Sequence, residues 1–188
     1  MGFLDVVLGR KRLKEASDER LFALSTAQVT LNVELGLKTA GAAAVVFKPL
    51  SAGEFVRAEN EMASLLETVA QSSGSRIERR SDDMGFEWLI VHDPDIEDLV
   101  TTAHLIGSEL KARCFGPQLL AAAFPFEGKK KAYWIYGYKR GAWWPFVPTG
   151  EGKERDNAEE LELKAKLEQE LPIEQDLTRW LALFDAPL

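Results

Sequence analysis

Apolar positions recur along this chain at two periods, and the switch between them marks out its elements. Ala42-Ala43-Ala44-Val45-Val46-Phe47, within Gly41 to Lys48, is a continuous apolar run stopped by Pro49 and reads as a buried strand. Ser51-Ala52-Gly53-Glu54 is a capping box, after which Phe55, Ala58, Met62, Leu65, Leu66 and Val69 recur at helical spacing until Ser72-Ser73-Gly74. Arg76-Ile77-Glu78-Arg79-Arg80 has one apolar residue, so as a strand it belongs at a sheet edge. Asp82 to Gly85 turn the chain into a return strand, with Phe86, Trp88, Ile90 and His92 on one face and Leu89 and Val91 on the other. Asp93-Pro94 opens a second helix, with Ile96, Leu99, Val100, Ala103, Ile106, Gly107 and Leu110 on its apolar face and Gly116 as its stop. Gly107 on that face predicts close approach to the sheet. From Gly116 to Thr149, two apolar runs flank Glu127-Gly128-Lys129-Lys130-Lys131, a hairpin rich in Trp and Tyr.

The ends are less regular. Phe3, Leu4, Val7 and Leu8 form a short helical stripe followed by Arg10, Lys11, Arg12 and Lys14. Residues 17–24 read as a linker with a short helical turn. Ser25 or Thr26 caps a helix over Ala27 to Leu35 ended by Gly36, although Val29, Thr30 and Val33 keep a strand open. Asp156 or Asn157 caps a helix through Leu171, with Ala158, Leu161 and Ala165 inward. Pro172 opens a last helix carrying Ile173, Leu177, Trp180, Leu181 and Phe184 on one stripe.

Strand, helix, strand, strand, helix, strand predicts an α+β fold, an antiparallel sheet with helices packed on one face. The order matches a ferredoxin-like βαββαβ core extended by a hairpin strand; a secretion-chaperone-like α+β arrangement is the alternative. The chain divides into an N-terminal amphipathic segment and linker (1–24), an α+β core (25–149) and an acidic C-terminal helical extension packed on the core (150–188).

Composition narrows the chemistry. The 188 residues carry a net charge of -7, which argues against general nucleic-acid affinity. Residues 151–188 hold 11 acidic and 5 basic side chains, most of that excess. A single cysteine, Cys114, fits a reducing cytosol, no apolar run is long enough to span a membrane, and no signal peptide is expected because the N-terminus lacks a basic start followed by a long apolar region and a small-residue cleavage site. His92 and His104 lack neighbours at ligand spacing, so no metal site is expected. No phosphate loop, nucleophile elbow or dinucleotide fingerprint is present, and no cofactor is expected. Asp82-Asp83 belongs to turn chemistry, and Asp93 and Asp95 to a helix start. No catalytic residue emerges. The lysines 129–131 read as a solvated hairpin tip, and Arg140 as a residue to stack on a Trp or pair with the acidic extension.

Two surfaces remain as candidates for a partner or a membrane. One is Phe3, Leu4, Val7 and Leu8 with Arg10, Lys11 and Arg12; the other is Tyr138, Lys139, Arg140, Trp143, Trp144 and Phe146. A pocket beside the aromatic hairpin, for a small molecule or an enzymatic reaction, is an alternative, and peripheral membrane binding another.

Several ordered stretches carry a likeness. Met1-Gly2-Phe3-Leu4-Asp5 with Leu8-Gly9-Arg10, Leu21-Phe22-Ala23-Leu24 and Phe115-Gly116-Pro117-Gln118-Leu119-Leu120 are among them. So are Tyr138-Lys139-Arg140-Gly141 with Pro145-Phe146-Val147-Pro148, Arg155-Asp156-Asn157 with Glu160-Leu161, and Leu177-Thr178-Arg179-Trp180. Together they resemble the PspA-associated protein PspAB family over nearly the whole chain. The resemblance implies a bacterial phage-shock, envelope-stress setting and a non-enzymatic accessory role. It implies PspA, a coiled-coil protein at the inner face of the membrane, as partner, and a cytoplasmic location with transient contact at the inner membrane surface.

Overall fold

The computed structural model describes residues 18–48, 55–112, 115–150 and 152–188. Seven antiparallel strands form one sheet: β1 (Lys38–Thr39), β2 (Ala42–Phe47), β3 (Arg76–Ser81), β4 (Glu87–His92), β5 (Leu119–Glu127), β6 (Ala132–Gly137) and β7 (Ala142–Phe146). Their order is β3-β4-β2-β5-β6-β7, with β1 pairing the far end of β5. The expected α+β class is what the chain forms.

The helices α2 (Phe55–Ser73) and α3 (Ile96–Ala112) connect strands, and α3 lies against β2, β4 and β5 with α2 beside it. The apolar stripe read for α3 is its buried face, including Ile96, Leu99, Val100, Ala103, Ile106, Gly107 and Leu110. Asp95 caps its start by accepting from Glu97 N at 2.8 Å. At Gly107 an added methyl would meet the Tyr138 ring at 2.9 Å, and Tyr138 donates to Ala103 O at 3.2 Å. Glycine is needed there for that close approach.

Strand alternation sets which residues face the helices. Leu89, Val45, Ala122, Tyr136 and Trp143 align across β4, β2, β5, β6 and β7. Trp143 belongs to the helical side, because its Nε1 donates to Arg20 O at 3.0 Å. Arg20 lies in a 3-10 turn (Asp18–Phe22) that continues through α1 (Ala23–Thr26) and a π-helical turn (Thr30–Glu34). Residues 18–24, expected as part of a linker with a short helical turn, are helical here and packed. Leu21, Leu24, Ala27 and Leu31 are fully buried, three or four residues apart, and the turns holding Leu21 and Leu24 pack on α3. Gly36, with φ of 63°, ends it as expected.

Other expectations are corrected. Gly116 is not the stop of α3 but opens a 3-10 turn (Gly116–Gln118) leading into β5. In α4 (Asn157–Leu167), capped by Asp156, the buried residues are Glu160, Leu163 and Leu167, while Ala158, Leu161 and Ala165 face solvent. The cause is Glu160, drawn inward by Arg155 and by Val147 N. Pro172 does not open a helix. Trp143 N donates to Pro172 O and Glu174 N to Trp143 O, both at 2.9 Å, so this backbone pairs with β7. The one helical turn left is Leu177–Arg179, capped by Asp176. Edge pairing of β7 thus overrides the helical period, and residues 172–188 run as an irregular strap.

Candidate functional site

The face of the sheet turned away from α2 and α3 holds a trough whose floor follows from register. Trp88 pairs with Val46, Val46 with Ala121, Ala121 with Gly137, and Gly137 with Ala142. Cross-strand neighbours project on the same face, so this row crosses five strands. Three of its members, Ala121, Gly137 and Ala142, carry a methyl group or nothing. A row of short side chains between taller ones is a depression. Trp144 stands beside it, and a methyl added at Gly137 would lie 2.8 Å from its ring.

The strap and the β3–β4 turn make the walls. Trp144 Nε1 donates to Leu181 O at 3.0 Å, and Phe184 packs edge-on against Phe146 with ring centres 5.0 Å apart. On the other side stand Phe86 and Met84. The volume of this half-open trough is about 970 Å³, the upper end of the size seen for small-molecule sites. Met84, Leu120 and Leu181 line it and are also exposed, with Met84 and Leu181 more than half so. An apolar interior thus continues onto an apolar rim.

Asp82 fixes the Met84 wall. It accepts from Trp88 Nε1 at 2.8 Å, from Phe86 N at 2.9 Å and from Met84 N at 3.0 Å. Burial by itself would raise this carboxyl, but those hydrogen bonds outweigh it and hold the group below the usual aspartate range. A depressed carboxylate stabilises the fold above the ordinary value of about 3.9, and that contribution is lost as pH falls through the lower folded value. Acid titration should therefore change Trp88 fluorescence at a pH below the ordinary carboxylate range. Asp82→Asn should abolish that step, and a step unchanged in this variant would assign it elsewhere.

Of the residues proposed from sequence, Phe3, Leu4, Val7, Leu8, Arg10, Lys11 and Arg12 lie outside the described residues. The second group divides. Tyr138, Trp143, Trp144 and Phe146 are buried, so as an exposed docking surface these rings are corrected to core. Trp143 and Phe146 are sealed completely, while Tyr138 and Trp144 keep an edge on the trough. Lys139 and Arg140 are exposed at its mouth. Arg140 pairs with Glu174 of the acidic extension, Nε to Oε2 at 3.6 Å. The hairpin-tip Lys130 is tied to Asp156 at 2.8 Å and Glu159 at 2.9 Å, which holds its ammonium well above the usual lysine range.

The two histidines are engaged in packing and pairing. The His104 ring packs on Phe22 with centres 4.9 Å apart, and His92 Nε2 lies 3.3 Å from Glu78. Among the described residues, no group of three or more His, Cys, Asp or Glu is placed to hold a metal ion, and no helix is long and apolar enough to cross a membrane. Sequence reasoning missed Val46, Ala121, Gly137 and Ala142. The small size of the last three was visible, but the alignment depends on the pairing of four separate strands.

A family model described as PspA associated protein B matches residues 1–188, the whole chain. No curated protein and no solved structure matches it.

Proposed function

We propose that this chain, which belongs to the PspA associated protein B family, is a non-enzymatic accessory protein of the phage-shock envelope-stress response. It binds PspA through the trough on the open face of its sheet, in the cytoplasm and at or near the inner membrane surface. The observation that carries this reading is the apolar trough running out to exposed Met84, Leu120 and Leu181. Concave apolar surface rimmed by exposed apolar side chains suits a helix laid in from a partner. A coiled-coil partner offers apolar helical stripes of that kind.

The test is binding of purified PspA to the full chain, measured by calorimetry. Met84→Glu with Leu181→Glu places charge on the rim at exposed positions, where the fold tolerates it. Affinity should fall by about tenfold or more, the loss typical of apolar anchors. Val29→Glu with Val33→Glu, at exposed apolar positions away from the trough, should leave affinity within about twofold. Wild-type affinity in the rim variant would overturn the assignment of PspA to this surface. A second reading, a small-molecule site, draws on the volume of the trough. An organic ligand retained through purification and seen by native mass spectrometry would favour it.

A further inference from the structure

The charge at the trough's mouth runs against the charge of the chain. The whole sequence carries -7, yet lysines and arginines at the trough outnumber acids five to three. The three acids are already engaged. Asp82 holds Trp88 and its own turn. Glu174 lies 3.6 Å from both Arg140 and Arg179, and Asp185 lies 2.8 Å from Lys153. Lys139, by contrast, is exposed and makes no ion pair among the described residues.

The direction of the trough restricts the shape of what lies in it. The floor runs across the strands from β4 to β7, and its backbone groups are spent on sheet pairing. An extended peptide could gain no ladder hydrogen bonds there. A helix satisfies its own backbone and needs only side-chain contact. Five strands at about 4.8 Å spacing span roughly 19 Å, the length of about 13 helical residues.

We infer that the trough takes an amphipathic helix whose apolar stripe is edged by carboxylates, with Lys139 at the mouth reading those acids. This rests on the trough being the docking surface proposed above, and it adds the chemistry of the partner. Apolar contact supplies the seat, and the cation selects which helix is seated.

The test uses the full chain and two fluorescein-labelled 18-residue model peptides. Both carry the same leucine stripe, edged by Glu in one and by Lys in the other. At low salt the Glu-edged peptide should bind about tenfold more tightly, and the gap should shrink several-fold in 0.5 M salt as screening shortens. Lys139→Glu should remove or reverse the preference while urea unfolding stays unchanged. Equal binding of the two peptides, or preference for the Lys-edged one, overturns the inference. Loss of PspA binding in the rim variant alongside equal peptide binding would keep the docking surface and reject its charge selectivity. Binding to phosphatidylglycerol vesicles that is lost in the rim variant, with neither peptide bound, would replace the helix by a lipid surface and also overturns the inference.

Discussion

Arg155→Met is expected to lower the free energy of unfolding by about 3–5 kcal/mol. Glu160 is 1% exposed and lies in α4 against the end of β7. Arg155 meets it with Nε at 3.0 Å and Nη2 at 2.8 Å, and Val147 N adds a third contact at 2.9 Å. The same guanidinium donates from Nη1 to Trp180 O at 2.8 Å and lies over the Phe146 ring at 5.5 Å. One side chain thus joins α4, β7 and the strap. Removing it leaves a buried carboxylate without its counter-charge, which costs far more than the net worth of the pair. Urea unfolding should show the loss as a lower midpoint at similar slope. Arg155→Met combined with Glu160→Met should recover most of it, because neither charge is then stranded. A single-variant loss below about 1 kcal/mol would show that Glu160 is served by water instead.

The second large effect is expected at Trp143. Its side chain is fully buried, packed on Tyr136 and Phe124 with ring centres 5.1 and 5.6 Å away. Trp143→Ala should cost about 3–5 kcal/mol, the range for emptying a large aromatic site. It should also release the N-terminal helical turns, because the indole holds Arg20 O. Hydrogen exchange should accelerate over residues 18–34 before it does in β5 and β6. Trp143→Phe keeps most of the ring volume and loses the hydrogen bond, so it should show the regional effect with a smaller global loss. Exchange over 18–34 that rises only in step with the whole protein would refute that coupling.

Periodicity carried the fold wherever one element buries one face. The stripe of α3, the charged edge strand and the β5–β6 hairpin could be read because each pattern is complete within its own segment. The last helix could not. Ile173 to Phe184 do repeat at helical spacing, but Trp143 bonds the backbone on both sides of Ile173, and that partner lies 30 positions earlier. The inward face of α4 was misjudged because a glutamate reads as surface unless its arginine is already in view. The trough was hidden for a related reason. Ala121, Gly137 and Ala142 are unremarkable until register sets them in one line. Of the binding residues expected from sequence, Lys139 and Arg140 stand at the mouth, whereas the aromatic content that drew attention to Tyr138–Phe146 serves mainly the interior.

The two lateral margins of the sheet are closed in different ways. Along β3, Glu78 pairs with Arg80 at 2.9 Å and with Arg76 at 3.4 Å, so a neighbouring strand would meet a fence of ions. Along β7, the chain's own residues 172–174 occupy part of the free ladder. A strand of a second copy would meet paired charges at one margin and a partly filled ladder at the other, and both discourage edge-to-edge pairing. Crowding copies of this chain together therefore favours contact through the faces of the sheet over strand addition at its margins.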